Sequence, residues 1–220
     1  MARENYPIEK AGWKYLMVLA TVTALCYMSS FRTVSALPLF MFIFTAYFFR
    51  NPKRRIPRSQ KSILSPADGV VLSISTVQED RFLGGPAVKV SIFLSILNVH
   101  VNRSPVTGEV KYVEYIPGKF FPAFKSHASE INERNYVGIQ CEGYRVMVCQ
   151  ITGFIARRIV CYKKAGDFMD QGQLFGMIKF GSCTEIYMPH GVEIMVDPGD
   201  RVKGGMTVVG RLLDEDRDFA

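Results

Sequence analysis

The sequence predicts a mainly β domain carried behind an N-terminal pair of apolar helices. Three observations carry this reading. The first 49 residues are densely apolar, whereas the remainder has the composition of an ordinary water-soluble domain. Beyond residue 62, short runs rich in Val and Ile alternate with Gly, Pro and Asp, the punctuation of strands and turns. No long stretch there carries the 3.6-residue apolar period of a surface helix.

At 220 residues the chain fits one domain plus an appendage. Residues 1–11 are polar. Residues 12–30 are apolar apart from Lys14, whose ammonium can snorkel to an interface. A second apolar run, 34–49, contains Pro38. A bilayer crossing takes about 20 apolar residues, so the pair reads as a membrane-anchoring helical hairpin over 1–49, spanning twice or dipping in and returning. Neither run has the polar face of a helix on a soluble protein. The first lacks the small-residue end of a cleaved signal peptide, and a second run follows it.

Residues 50–61 hold six basic residues, two prolines and no acid. This is a juxtamembrane linker on the cytoplasmic side of a membrane, facing anionic headgroups. Net charge is +7 with a pI near 9.2. Such a balance favours an anionic partner, and the position of the basic run beside apolar helices favours lipid over nucleic acid. Cys26, Cys141, Cys149, Cys161 and Cys183 are odd in number and form no C-x-x-C pair. They read as reduced, mostly buried thiols in a cytosolic environment, with no metal site.

The domain from 62 to 220 carries strand signals at 70–75, 87–93, 109–115, 144–152, 155–162, 174–180, 184–188, 192–196 and 206–212. The stretch 120–135 is the least strand-like. It begins with Phe120, Phe121 and Phe124 and ends in polar residues, and reads as a flap with an aromatic tip. A weak repeat follows. Gly166-Asp167 and Gly172 precede one apolar strand, and Gly199-Asp200 and Gly205 precede another. This pattern resembles the turns of biotinyl/lipoyl-type folds and sharpens the prediction to a barrel-sandwich-like domain. A carrier role would need a modifiable Lys at a hairpin tip, and the region between the copies offers only Lys179, within a strand signal.

The candidate chemistry is sparse. His100, His127 and His190 are the only histidines. His100 closes an apolar run ahead of a turn, a common position for a catalytic residue, although a lone His is as readily structural. Asp68 lies in an Asp-Gly turn signal. Gly181-Ser182 taken alone is a bend between two strands.

Together, Ser65-Pro66-Ala67-Asp68-Gly69, the stretch Asn98-Val99-His100-Val101-Asn102-Arg103, Gln150-Ile151-Thr152-Gly153 with Ala156-Arg157-Arg158-Ile159, and Phe175-Gly176-Met177-Ile178-Lys179-Phe180-Gly181-Ser182 resemble the phosphatidylserine decarboxylase proenzymes, most closely the short bacterial/archaeal branch. The motifs keep the family order from about residue 49 to 210. Two departures stand out. Well-known members have Leu-Gly-Ser-Thr at the cleavage site, where this chain has Phe180-Gly181-Ser182-Cys183. Longer members carry a second His three residues after the first, where this chain has Arg103.

The resemblance implies a pyruvoyl-dependent carboxy-lyase that makes phosphatidylethanolamine. Self-cleavage at Gly181–Ser182 would leave a β chain 1–181 and an α chain 182–220, held as a heterodimer with room for a higher homo-oligomer. Ser182 would become the covalent pyruvoyl cofactor and form a Schiff base with the substrate amine, with no metal and no PLP. Asp68 and His100 become candidates for the base system, with His100 also a proton donor once CO₂ has left. Arg157 and Arg158 could hold phosphate. Phe120, Phe121 and Phe124 could dip into lipid. The implied partners are a membrane phospholipid and an anionic membrane surface, not nucleic acid, at the cytoplasmic face of the cell membrane. Two other readings stay open. One is a pyruvoyl decarboxylase of another serine lipid, such as archaetidylserine. The other is a non-enzymatic, membrane-anchored barrel-sandwich adaptor.

Overall fold

The computed structural model describes residues 6–29, 32–57, 59–121, 131–153, 158–179 and 182–213. The chain divides into two compact units, Met1–Lys53 and Arg54–Ala220.

In the first unit, α1 (Lys10–Met28) and α2 (Ala36–Phe48) form the expected helical pair, joined by a 3₁₀ turn over Arg32–Ser35. Pro38 falls in the first turn of α2, where its missing N–H costs nothing. The ends of the hairpin are tied by backbone bonds, Glu9 N–H to the Phe49 carbonyl and Asn51 N–H to that of Pro7, each 2.7 Å. A Cβ at Gly12 would strike the Phe49 ring, so glycine is what lets α1 approach closely. Tyr15 stacks on the same ring at 5.7 Å. Of the two helices only α1 is long and apolar enough to cross a membrane.

The second unit is mainly β. It starts at Arg54 rather than at residue 62, because the linker docks on the domain. Arg54 pairs with Asp68 at 2.7 Å, and Ile56 packs over Gly172. The strands are β1 (Ser62–Leu64), β2 (Gly69–Glu79), β3 (Gly85–Leu94), β4 (Val101–Arg103), β5 (Gly108–Ile116), β6 (Arg134–Gln140), β7 (Arg145–Thr152), β8 (Arg158–Cys161), β9 (Phe168–Met169), β10 (Leu174–Lys179), β11 (Ser182–Pro189), β12 (Glu193–Ile194), β13 (Arg201–Val202) and β14 (Val208–Arg211). One sheet has eight strands in the order β13-β2-β3-β11-β7-β6-β5-β9, and two small sheets run β1-β14-β12 and β4-β10-β8.

The Gly-Asp repeat is part of a duplication of the whole domain. The order of the large sheet reads the same from either end if β2, β3, β11 and β13 are matched with β5, β6, β7 and β9. The small sheets match as β1, β12, β14 with β4, β8, β10. Hydrogen bonds repeat pair by pair. Val71 N–H bonds the Asp200 carbonyl and Val110 N–H that of Asp167. Gly199 N–H bonds the Val71 carbonyl and Gly166 N–H that of Val110. Leu64 N–H reaches the Pro105 carbonyl, and Arg103 N–H that of Pro66. Bulges fall at matched places, after Val71 and after Val110. A second repeated stretch, Ser65-Pro66-Ala67-Asp68-Gly69 against Ser104-Pro105-Val106-Thr107-Gly108, underlies this, and in each the Ser hydroxyl bonds the carbonyl two residues on at 2.7 Å. The paired β7 and β11 run antiparallel across the pseudo-twofold axis. Glycines 166, 172, 199 and 205 all have positive φ, which is why the turn motif is spelled with glycine.

The large sheet buries both faces with period two. Ile186 and Met188 of β11, Val146 and Val148 of β7, Val137 and Ile139 of β6, and Val90, Ile92 and Leu94 of β3 fill the inner core. Cys183, Met147, Cys149, Ile151 and Tyr136 form a second cluster on the outer face, where Phe82 packs from the β2–β3 turn and lies against Gly138. Each fully buried aliphatic side chain contributes about 1.5–3 kcal/mol relative to exposure. Residues 134 and 135, read in the sequence as the end of the flap, belong to β6.

Candidate active site

Along the inner face the apolar filling stops at one end. Following alternate residues, β11 runs Met188, Ile186, Thr184, Ser182; β7 runs Val146, Val148, Gln150, Thr152; β6 runs Ile139, Val137, Asn135. The register places these polar ends together, Ser182 opposite Thr152, Thr184 opposite Gln150, and Gln150 opposite Asn135. All five polar residues are buried. Buried polar atoms are normally hydrogen-bonded, and most of these are. Asn135 Nδ2 donates to Gln150 Oε1 (3.0 Å), Gln150 Nε2 to Asn102 Oδ1 (2.9 Å), and Asn102 Nδ2 to Thr184 Oγ1 (3.2 Å). Ser182 Oγ is fully buried and has no hydrogen-bond partner among the described residues.

Ser182 opens β11, between Leu94 of β3 and Thr152 of β7. Lys179 ends β10 in a different sheet, paired with Arg158 of β8. The link 179–182 is therefore where the chain leaves a small sheet and enters the large one. Phe180 and Gly181 lie outside the described residues, as do Arg157, Phe124 and His127.

His100 immediately precedes β4 and is fully buried. Its carbonyl accepts the N–H of Ile178, one residue before the end of β10. The loop leading to it leaves β3 at Leu94, the register partner of Ser182. His100 and Ser182 thus belong to the same end of the barrel. His100 Nδ1 lies 2.9 Å from the Asn98 carbonyl oxygen. A carbonyl only accepts, so Nδ1 carries the proton and, in the neutral ring, Nε2 presents a lone pair.

Asp68 is placed differently. Its Oδ1 accepts the Gly204 N–H at 2.8 Å and its Oδ2 the Arg54 guanidinium at 2.7 Å. Among the described residues its carboxylate bonds neither His100 nor Ser182. Arg103, which stands where long members have a second His, is buried and donates to the Gly172 carbonyl at 2.9 Å. Arg158 is exposed at the start of β8. Phe120 and Phe121 are 37% and 43% exposed, at the stem of the aromatic stretch. That stem is pinned by Asn132, whose amide exchanges bonds with the Phe121 backbone and also donates to the Thr152 carbonyl, each at 2.8 Å.

Cys183 follows Ser182 but points to the opposite face, where burial pushes its thiol well above the ordinary range. It is no rival nucleophile. A surface groove of about 1010 Å³ lies around Lys61 and Tyr144, counterparts of His100 and Ser182 in the other half, and contains no predicted site residue. No cluster of metal-ligating side chains occurs among the described residues.

The family model described as phosphatidylserine decarboxylase matches residues 41–210. The chain belongs to the phosphatidylserine decarboxylase family. A phosphatidylserine decarboxylase proenzyme from Carboxydothermus hydrogenoformans is 56% identical over 211 residues, covering 96% of this chain and 99% of the relative. One from Symbiobacterium thermophilum is 47% identical, covering 93% and 95%, and one from Syntrophus aciditrophicus is 43% identical, covering 96% of each. The family match spans the predicted motifs and the whole inner-face polar cluster. Sequence reading singles out Ser182 and His100 as candidates, and the fold brings them to the same end of the barrel. Sequence reading missed Asn102, Asn135, Gln150 and Thr184 as a group. For Asn135, Gln150 and Thr184 the signal was the polar interruption of apolar alternation on three separate strands.

Proposed function

We propose that this chain is a phosphatidylserine decarboxylase proenzyme that cuts itself between Gly181 and Ser182 and then converts phosphatidylserine to phosphatidylethanolamine. The observation that carries the reading is the buried Ser182 Oγ, without a hydrogen-bond partner among the described residues, at the start of β11 where the chain enters the large sheet. Burying a hydroxyl without a partner costs about 1–3 kcal/mol, and a reacting atom explains why that cost is retained.

His100 Nε2 takes the proton from Ser182 Oγ, which attacks the Gly181 carbonyl carbon. The peptide C–N bond breaks as its nitrogen gains a proton, leaving an ester through Oγ. Loss of the Ser182 Cα proton then expels the Gly181 carboxylate, which keeps that oxygen. The dehydroalanine left at 182 takes up water and releases ammonia, which gives a pyruvoyl terminus on 182–220. The pyruvoyl carbonyl supplies an electron sink for the amine-bound substrate as CO₂ departs. In turnover His100 returns a proton to the substrate carbon. Asp68 braces the linker through Arg54 and supports the site from outside. Arg158, with Arg157, receives the lipid phosphate, since guanidinium forks match phosphate oxygens.

The membrane reading rests on the hairpin. Trp13, Met17, Val18, Leu25, Leu37, Phe40 and Ile43 are all more than 40% exposed, an apolar surface suited to lipid. The basic run then lies on the cytoplasmic side, and Phe120, Phe121 and Phe124 meet the bilayer where the substrate enters. The matured α and β chains stay together because β11 is hydrogen-bonded on both sides, to β3 and β7.

Intact mass spectrometry tests this. Wild type should appear as two fragments, 1–181 and 182–220, the smaller with a blocked terminus, and Ser182→Ala as one inactive chain. An uncut wild-type chain with full activity sinks the proposal.

A further inference from the structure

The duplicated fold contains its own control. Each residue of the polar chain Asn135–Gln150–Asn102–Thr184 has a counterpart in the other half, and register identifies it. Asn102 pairs with Gly176 on β10, and Ile63 pairs with Gly210 on β14. Thr184 pairs with Ile92 of β3, and Val146 pairs with Ile139 of β6. Ile92 and Ile139 are matched in turn through Val71 and Val110, each just before its bulge. Gln150 and Asn135 pair with each other as Met188 and Val88 do.

The counterparts are therefore Ile63, Val146, Met188 and Val88, all apolar, and the first three belong to the inner core. Even the glycines agree. A Cβ at Gly176 would stand 2.9 Å from Gln150 Nε2, and one at Gly210 would stand 2.8 Å from Met188 Sδ. The same pocket over the same glycine holds an amide in one half and a thioether in the other.

The fold therefore closes with apolar residues at these positions, and packing does not require the amides. Replacing a satisfied buried polar network by apolar groups of similar shape is often neutral or stabilising. The amides lie in the half opposite the one that supplies Ser182, and they gather at the end of the barrel where Ser182 sits. Asn102 sits on β4, two residues beyond His100, and Thr184 on β11, two residues beyond Ser182. Their contact joins the small sheet to the large one, across the corner that residues 179–182 span. Thr184 Oγ1 accepts from Asn102 and donates to no described residue.

We propose that Asn102, Gln150 and Thr184 are positioning residues for self-cleavage. They clasp β4 to β11, fix His100 relative to Ser182 and present the remaining Thr184 proton on the face that carries the attacking oxygen. Asn135 orients the chain by donating to Gln150, which sets the direction of every amide after it. The inference rests on the self-cleavage reading.

The test puts at each of the four positions the residue that its counterpart carries. The variant Asn102→Ile, Asn135→Val, Gln150→Met, Thr184→Val should fold with a Tm at or above wild type, yet self-cleave at least about tenfold more slowly, the effect of losing one hydrogen bond of ordinary strength in the transition state. Single variants cover the case in which the quadruple fails to fold. Thr184→Val leaves Asn102 Nδ2 without its acceptor, so it should lower Tm as well as slow cleavage to a similar degree, and Thr184→Ser should restore both to near wild type. Wild-type cleavage rates in Thr184→Val, or equal slowing in Thr184→Val and Thr184→Ser, overturn the proposal. A wild-type chain that stays uncut overturns the self-cleavage reading itself, whatever the variants do.

Discussion

Asp68 and Thr107 hold the same position in the two halves of the domain. Asp68 Oδ1 accepts the Gly204 N–H at 2.8 Å, and Thr107 Oγ1 accepts the Gln171 N–H at 3.0 Å. The turn needs an acceptor there, and a hydroxyl suffices. What Asp68 adds is a charge facing Arg54, whose side chain is 9% exposed.

Asp68→Thr should therefore keep the turn and fold, whereas Asp68→Ala leaves the Gly204 N–H without its acceptor and costs about 1–3 kcal/mol. Thermal unfolding separates the two. If Asp68→Thr also self-cleaves at the wild-type rate, the carboxylate has no part in the base system and only His100 remains.

Gly176 and Gly210 give a matched pair. At Gly176 a Cβ collides with the Val160 carbonyl oxygen and presses on Gln150, whereas at Gly210 it meets the side chains of Val192 and Met188. Backbone cannot yield as a flexible thioether can. Gly176→Ala should cost about 1–3 kcal/mol and slow processing, and Gly210→Ala should cost less and leave processing intact. Equal processing in both would separate Gln150 from the reaction.

Asn132 joins the aromatic stem to Thr152, the register partner of Ser182. Asn132→Ala removes three hydrogen bonds and should destabilise by about 1–3 kcal/mol. In the processed enzyme it should raise KM for a vesicle-borne serine phospholipid more than it lowers kcat, because Phe120 and Phe121 lose their fixed stem. A pure kcat effect would place Asn132 in the chemistry instead.

Alkaline pH should loosen the core. Burial pushes the Cys141 thiol up to about 12, and also raises the Cys149 and Cys183 thiols and the Tyr187 phenol well above their ordinary values. These groups keep their protons in the folded state after the unfolded chain has begun to lose them. Their stabilisation is full below the unfolded thiol value of about 8.5 and declines as pH rises above it. Under reducing conditions Tm should fall steadily from about pH 9 upward, and Cys141, Cys149 and Cys183 should resist alkylation until the chain unfolds. A flat Tm over that range would contradict the burial of these groups.

Much of the fold was legible in the sequence because its causes are local. Apolar length gave α1, runs of Val and Ile gave the long strands β2, β3, β5, β7, β10 and β11, and positive-φ glycines gave the repeated turns. The short strands β1, β4, β9 and β13 span two or three residues each, too few for a period to emerge. The strand β6 was hidden because its inner face begins with Asn135, a residue that makes sense only opposite Gln150.

The sequence by itself determined the N-terminal helical pair, the β character of the domain and the family, and it singled out Ser182 and His100 as candidates, since composition, periodicity and ordered motifs are properties of neighbours along the chain. Tertiary structure decided the rest. It drew Arg54 out of the basic run into a part-buried pair with Asp68, placed residues 179 and 182 in different sheets, and gathered Asn102, Asn135, Gln150 and Thr184 from four strands into one buried chain. Such contacts join residues from 14 to 82 positions apart. Their energy comes from the mutual satisfaction of groups removed from water, and no window of sequence contains both partners.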